Sequence, residues 1–310
     1  MTLTKELNKI DFSRADTGMR DRYNELLSAD AERGCEFSFA NVFCWGRQSI
    51  AFIEDNAVIF SQFDRKTVYT FPVGKGDKKA AIDAIIEDSR ARGIPCRITG
   101  ISDEYAELLR ALYPDKFLFH CDEGSFDYIY AIDDLAELAG KKYHSKKNHV
   151  NRFVEMYDYT VEPITEKNAD DALSLANEWF DERLAESPNS DILMEKTAIT
   201  RALQNIDALA LDGILIKVGN DAAALTLGNM FYSDTFDVQF EKALSKYERG
   251  YAIVNYEFAR YLRSKYPNLK YLNREEDMGI EGLRRAKQSY RPIKQIHKCW
   301  AHLKDDGFDY

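Results

Sequence analysis

The sequence predicts a mixed α/β protein (α/β, α+β class) built as two units in tandem, each with a mixed central sheet. Three observations carry that prediction. Short runs of alternating apolar residues and longer runs at helical spacing succeed one another in the first half, and the second half repeats the mixture without obvious sequence identity. At 310 residues the chain is long enough for two domains of common size. Its 18 Tyr and 18 Phe, within a 45% hydrophobic composition, provide the bulk for packed cores and exclude disorder over most of the length.

In the first half, a polar helix covers about residues 20–30, and EFSFANVFCW mixes aromatic and small residues without a clean period. Residues 49–53, 57–63 and 67–73 read as short strands separated by the charged turns EDN and DRK. KKAAIDAIIEDSRARG is an amphipathic helix closed by Gly93. CRITGI is strand-like, DEYAELLRALY is helical, and KFLFHC and FDYIYAI are strands again, so a first unit ends near Ile132. The expected division is 1–136 and 137–310.

The second half opens with a long helix over residues 141–157, then a turn and a helical region over 168–183. SPNSD is a loop, and another helix covers 193–205. Strands follow at 208–211 with 213–218, at 222–230 and at 235–241. Helix 251–265, strand 270–273, helix 279–290 and strand 293–300 complete the chain. Helices first, then a meander, then β-α-β-α-β is the layout of the GNAT acyltransferase fold, in which a split between two central strands admits an acyl donor. The expected architecture is therefore two tandem GNAT-like acyl-CoA N-acyltransferase domains. The first lacks a donor motif and reads as degenerate; the second carries the site.

A formal net charge of -10 excludes non-specific binding of duplex DNA by the whole surface, while a local basic patch suits one phosphate-bearing ligand. No apolar run reaches the length of a bilayer span, and MTLTKELNKIDFS lacks the core of a secretory peptide, so a cytoplasmic protein is expected. Five cysteines at 35, 44, 96, 121 and 299 show no repeated spacing, which fits a reducing compartment better than a disulfide framework. His120 and Cys121 are adjacent with no second ligand pair near them, so no metal site is expected. There is no GxGxxG, Walker loop, GxSxG or HExxH.

Three stretches carry possible chemistry. KKYHSKKNHVNRF places seven Lys, Arg and His in thirteen positions. On a helix, Tyr143, Val150, Phe153, Val154 and Tyr157 form one stripe, with Lys146 and Lys147 near its N-terminal end. Those lysines either cover an apolar edge with their heads in water or meet phosphate or carboxylate in a cleft. In KYERGYAIVNYEF, Gly250, Tyr251 and Ala252 open a helix whose N–H groups suit a coenzyme A pyrophosphate, with Asn255 facing a cleft. Tyr247 stands where that pattern has Gln or Arg, and a glycine marking a turn would look the same. In NREEDMGIEGLRRAKQSYRP, a strand ending at Asn273 delivers Glu275, Glu276 and Asp277 to its C-terminal edge. On the following helix Ile280, Leu283, Lys287 and Tyr290 share one face, with Arg284 at its margin. Lys287 either pairs with Glu275 or Asp277 or sits beside a developing charge.

FSFANVFCW, KKYHSKKNHVNRF and NREEDMGIEGLRRAKQSYRP, in that order, resemble the family formerly called DUF2156, grouped with the C-terminal domain of phosphatidylglycerol lysyltransferase. The resemblance covers nearly the whole chain. It implies two tandem GNAT-like domains related to the Fem peptidyltransferases. Its characterised lipid-modifying members move an amino acid from aminoacyl-tRNA to phosphatidylglycerol, and it implies a functional lysine at Lys287. Two features depart from the family: its lipid enzymes have a membrane-embedded region whereas this sequence shows no transmembrane segment, and FDVQFEKAL stands where the family has Asp-Leu-Met-Arg on a central strand. The lipid acceptor does not carry over.

The sequence thus predicts an acyl- or aminoacyltransferase acting on an amine or hydroxyl of a small-molecule acceptor. No cofactor is expected to be tightly bound; the donor is acyl-CoA or aminoacyl-tRNA, which makes tRNA a candidate partner. Backbone amides of residues 226–230 are candidates for stabilising the oxyanion. Glu241, Glu275 or Asp277 would take the acceptor's proton. Lys287, Lys146 and Lys147 would neutralise donor phosphates or a substrate carboxylate, while Asn273, Arg284 and Tyr290 would line the acceptor site. The alternative is a non-catalytic protein that holds a small metabolite on a degenerate GNAT scaffold. The oligomeric state is left open.

Overall fold

Two mixed sheets organise the protein: one is built from the contiguous strands of the second half, while the other is completed only by the final strand in chain order. The computed structural model describes residues 9–28, 34–63, 66–186 and 190–308. In chain order, β1 (Ser13–Arg14), α1 (Arg20–Leu27), α2 (Phe39–Cys44), β2 (Gln48–Ile53), β3 (Asn56–Phe63), β4 (Lys66–Thr70) and β5 (Val73–Gly74) come first. They are followed by α3 (Lys78–Arg92), β6 (Arg97–Ile101), α4 (Asp103–Leu112) and β7 (Phe117–Cys121). Local chemistry explains several boundaries. Asp77 accepts from the N–H groups of Lys79 and Ala80 to start α3, Gly93 ends it at φ 66, and the Ser102 hydroxyl caps α4. EFSFANVFCW forms a short 3-10 turn, Cys35–Phe37, and then α2. Phe37, Phe39, Val42 and Cys44 are all buried, so the segment has little polar face and shows no amphipathic period.

The second set contains β8 (Asp127–Ala131), α5 (Ile132–Glu137), α6 (His144–Met156), β9 (Tyr159–Pro163), α7 (Ala169–Glu186) and α8 (Ser190–Leu203). Then come β10 (Asp212–Val218), β11 (Asp221–Met230), β12 (Thr235–Ala243), α9 (Gly250–Lys265), β13 (Tyr271–Asn273), α10 (Glu281–Ser289) and β14 (Lys294–Ile296). The chain ends with β15 (Cys299–Leu303). The second sheet runs β14-β8-β13-β12-β11-β10-β9, with β12 and β13 parallel. Ile253, Val254, Phe258 and Leu262 of α9 pack in one core with Phe236, Ile214 and Ile216 from the strands. The first sheet runs β1-β2-β3-β4-β6-β15-β7, with β5 beside β3, and is parallel only between β4 and β6.

This mixed architecture is that of the expected class. Several local expectations differ. The chain divides into one unit running through Phe126 and resuming at Ile296, and a second unit, Asp127–Gln295. The boundary drawn at 136 is displaced because β8 pairs with β13, a partnership between distant segments. The strand expected over 293–300 is two strands, β14 and β15, in different sheets, broken at His297 and Lys298. Residues 208–211 form a turn rather than a strand. Leu209 and Leu211 are buried while their amides bond back to Asn205 and Ile206. β9 lies in the stretch taken for a turn. Val154 and Ile280, placed on apolar stripes, are 49% and 53% exposed. Asp30 and most of SPNSD lie outside the described residues. Among those residues no helix is long and apolar enough to cross a membrane.

The cysteine reading also requires correction. Cys121 and Cys299 stand directly opposite on β7 and β15 and form a disulfide across 178 positions of sequence, while Cys35, Cys44 and Cys96 are buried outside any disulfide. Spacing cannot reveal a pair whose partners meet only through sheet register. A cross-link over so long a loop restricts the unfolded chain, and losing one costs about 2–5 kcal/mol. Thermal denaturation is therefore expected to show a lower Tm with reductant than without, and Cys121→Ser should abolish that difference.

Candidate active site

The parallel pair β12–β13 holds register at three positions, Thr235 with Tyr271, Phe236 with Leu272 and Asp237 with Asn273. Beyond them β12 continues to Ala243, whereas the other chain leaves its strand at Arg274. Side chains bridge the divergence. Arg274 Nη2 lies 3.0 Å from Glu241 Oε1, and both side chains are nearly sequestered, 13% and 14% exposed. Asn255 of α9 donates its amide to Glu241 Oε2 at 3.4 Å, and Thr226 of β11 stands opposite Glu241 in register. The Arg274 guanidinium lies 5.0 Å from the Tyr290 ring centre and 5.6 Å from that of Tyr130. Lys146 Nζ approaches the same Tyr290 ring at 4.0 Å.

Charge in this wedge is set by burial and by mutual contact. Burial alone would pull the Arg274 pKa down, but Glu241, Tyr130 and Tyr290 outweigh it and the guanidinium ends above its ordinary value. Burial pushes the Tyr290 hydroxyl up to about 12, keeping it protonated. Lys146 is lowered, first by burial and then by Arg274. Three buried polar atoms here have no hydrogen-bond partner in the protein: Thr226 Oγ1, Asn255 Oδ1 and Arg274 Nη1.

Lys287 supports the turn that delivers Arg274. Its ammonium donates to the backbone carbonyl of Arg274 and, at 3.2 Å, to that of Glu275, whose φ is 55. Burial, and then Arg274, lowers its pKa. Asn273 holds the same turn by accepting from the Glu275 N–H at 2.8 Å while donating to Asp127 at 2.8 Å. Tyr130 donates its hydroxyl to the Lys287 carbonyl, and Tyr143 donates to that of Tyr290. Asp277 is spent on structure: it accepts from Arg284 Nε and the Tyr128 hydroxyl, at 2.8 and 2.7 Å, and from the Gly279 N–H at 2.8 Å. Burial works against this carboxylate, but Arg284, Tyr128 and the Gly279 amide together hold its pKa below the usual range.

Of the residues singled out by sequence, Lys146, Glu241, Asn255, Lys287 and Tyr290 converge on the wedge. Asn273 and the Glu275 backbone buttress it, and Asp277 with Arg284 fixes the entry to α10. Lys147 leaves the group: its ammonium donates to the Tyr256 hydroxyl at 3.0 Å and lies over that ring. The amides of Gly250 and Ala252 donate within the turn, to the carbonyls of Tyr247 and Arg249. A Cβ on Gly250 would stand 2.9 Å from that of Ala243, so this glycine lets the helix meet β12. Tyr251 accepts at its hydroxyl from Trp179 Nε1 at 2.9 Å. Residues 226–228 are laddered by β10 and β12 on both sides, whereas Asn229 and Met230 pair with β12 alone, beyond a register shift between Leu227 and Gly228. Sequence reading missed Arg274 and the Thr226 side chain. Arg274 lies inside the motif NREEDMGIEGLRRAKQSYRP, but the acids that follow it there are not its partner.

The family described as phosphatidylglycerol lysyltransferase, C-terminal, matches residues 29–302. The chain belongs to this family. A solved Bacteroides thetaiotaomicron structure, described as a conserved protein of unknown function, is 36% identical over 95% of this chain and 100% of that one, with a TM-score of 0.89. The structure of L-PGS from Bacillus licheniformis is similar in fold at 16% identity and a TM-score of 0.67, covering 94% and 93% of the two chains. FemX is similar at 11% identity and 0.59, covering 95% and 97%. No curated protein sequence matches the chain. Family membership and fold together suggest group transfer of the lysyltransferase and GNAT type.

Asp277 supplies a pH test. Its native pKa is depressed, so its contribution to stability is present above the unfolded aspartate value, ~3.9, and is lost as pH falls through the native value. Asp277→Asn is expected to lower Tm at neutral pH, with the deficit shrinking below about pH 4 as the wild-type carboxyl protonates. Parallel thermal melts of both proteins from pH 7 to pH 3 check this.

Proposed function

We propose that the second unit transfers an aminoacyl group from an anionic donor, aminoacyl-tRNA, to an amine or hydroxyl of a small-molecule acceptor at the β12–β13 wedge. One observation carries the reading: the buried Arg274 guanidinium keeps one nitrogen without a protein partner, and Lys146 and Lys287 stand close enough for its charge to depress theirs. A fixed, desolvated cation with a spare donor suits an oxygen that becomes negative during reaction.

In this scheme the acceptor nitrogen or oxygen attacks the donor's ester carbonyl. The carbonyl oxygen gathers charge facing Arg274 Nη1, and the bond to the donor's ribose oxygen then breaks. Lys146, lowered by burial and by Arg274, relays the acceptor's proton towards that leaving oxygen. Glu241 and Lys287 act as positioning residues, one gripping the guanidinium and the other its backbone. An acyl-CoA donor fits less well. The N–H groups of Gly250 and Ala252, where a pyrophosphate would bind, are occupied by turn carbonyls.

Single-turnover transfer of a labelled amino acid from tRNA, alongside binding titrations with deacylated tRNA and free coenzyme A, tests the scheme. Removing one such donor typically costs about 100- to 1,000-fold in rate, the loss expected for Arg274→Met combined with Glu241→Gln. The double change avoids leaving a buried carboxylate unpaired, which alone would cost about 3–5 kcal/mol. tRNA binding should weaken steeply with salt. Saturable coenzyme A binding without tRNA binding would transfer the reading to an acyl donor. Ligand binding without turnover of any donor would favour a metabolite-holding protein.

A further inference from the structure

The first unit contains a second buried lysine in an unusual setting. Lys298 lies between β14 and β15, with its ammonium 3.2 Å from Glu36 Oε2 and 3.6 Å from the Cys35 sulfur. Lys298 is 6% exposed and Cys35 is 5% exposed. Gly34 makes the approach possible, because a Cβ there would overlap both the Lys298 stem and the Glu36 carboxylate. The neighbouring residue, Cys299, is already bonded to Cys121. An oxidised covalent state is thus compatible with the fold at this point of the chain.

We infer that Cys35 and Lys298 are a modification site: under oxidation by dioxygen or a peroxide they become joined through one oxygen atom, sulfur to oxygen to nitrogen. A nearby cation favours the thiolate, the form that oxidants attack. Burial of both partners excludes bulky soluble thiols that would otherwise intercept an oxidised sulfur, and leaves the Lys298 nitrogen beside it. Glu36 is placed to accept the proton that the ammonium must lose before its nitrogen can bond. The balance closes. The S–H bond and one N–H bond break, while S–O and N–O bonds form. Sulfur and nitrogen each give up two electrons. Dioxygen accepts all four and leaves one water; alternatively, two peroxide molecules accept them and leave three waters. The bridge would tie the 3-10 turn Cys35–Phe37 to the start of β15, one residue from the Cys121–Cys299 bond.

The test uses the full-length protein, incubated with hydrogen peroxide or kept reduced, then denatured, alkylated and digested with trypsin for mass spectrometry. The expected product joins the Cys35 and Lys298 peptides, with cleavage after Lys298 lost. In the wild type its mass is that of the Cys35, Lys298 and Cys121 peptides plus one oxygen and minus four hydrogens, because Cys299 on the Lys298 peptide stays bonded to Cys121; in Cys121→Ser, with Cys299 alkylated, it is that of the Cys35 and Lys298 peptides plus one oxygen and minus two hydrogens. It should rise from undetectable in the reduced sample to the main form of the Cys35 peptide. Reductant added in denaturant should release it. Lys298→Arg, which preserves the charge beside Glu36, and Cys35→Ser should each abolish it, while Cys121→Ser should not. Cys96, whose thiol burial pushes up to about 12, serves as the internal comparison and should remain largely unmodified. Recovery of Cys35 only as free thiol, sulfinate or sulfonate overturns the inference. So does a direct sulfur–nitrogen link lacking the oxygen, or a bridge that survives Lys298→Arg.

Discussion

The buried ion pair between Arg274 and Glu241 constrains most of the second unit around it. Two charges withdrawn from water are costly, and their attraction offsets that only when further contacts complete the geometry. Here the completion is visible on every side. Asn255 adds a hydrogen bond from α9, the Tyr130 and Tyr290 rings flank the guanidinium, and the parting of β12 from β13 provides the room. The pair also depends on a strained turn. Arg274 can reach Glu241 because the next residue takes a left-handed conformation, which Asn273 and the Lys287 ammonium hold from opposite directions. Lys287 therefore matters to the wedge through the backbone, although it contributes no ion pair to Arg274's carboxylate partner.

Functional character follows from the same constraint. Where β12 and β13 diverge, this chain places a charged and aromatic cluster. The cluster satisfies most of its own polar groups but leaves a hydroxyl, an amide oxygen and a guanidinium nitrogen without protein partners. Such atoms are expensive to bury idle and inexpensive to bury against a ligand. Their mixture of donor and acceptor character is what the proposed reading uses to hold a polar group.

What the sequence made legible was local. Asp77 and Gly93 mark the ends of α3, and the Tyr143, Val150 and Phe153 stripe is buried as its spacing requires. Lys287 was visible because a lysine among apolar positions needs a partner, and the partner is a pair of carbonyls rather than the neighbouring acids. Lys146 and Lys147 looked equivalent, yet a rotation of 100° per residue sends one towards Tyr290 and the other towards Tyr256. Arg274 escaped notice because nothing in its neighbourhood of sequence hints at Glu241, 33 positions earlier. The Cys121–Cys299 bond and the separate destinations of β14 and β15 escaped for the same reason. Each depends on strand order, and strand order is a property of the assembled sheet.

That strand order has a temporal consequence. β15 lies between β6 and β7, yet among the described strands it is the last in chain order and so is made after both of them. At ordinary translation speeds the 178 positions separating Cys121 from Cys299 represent on the order of ten seconds or more. Throughout that delay β6 and β7 lack the neighbour that will join them, and their open edges invite pairing with other chains. The contiguous unit, synthesised later, has all its strands in hand before the split one does. The order in which the two sheets gain their full set of strands is thereby inverted relative to the order in which they begin, and the N-terminal sheet waits for its keystone.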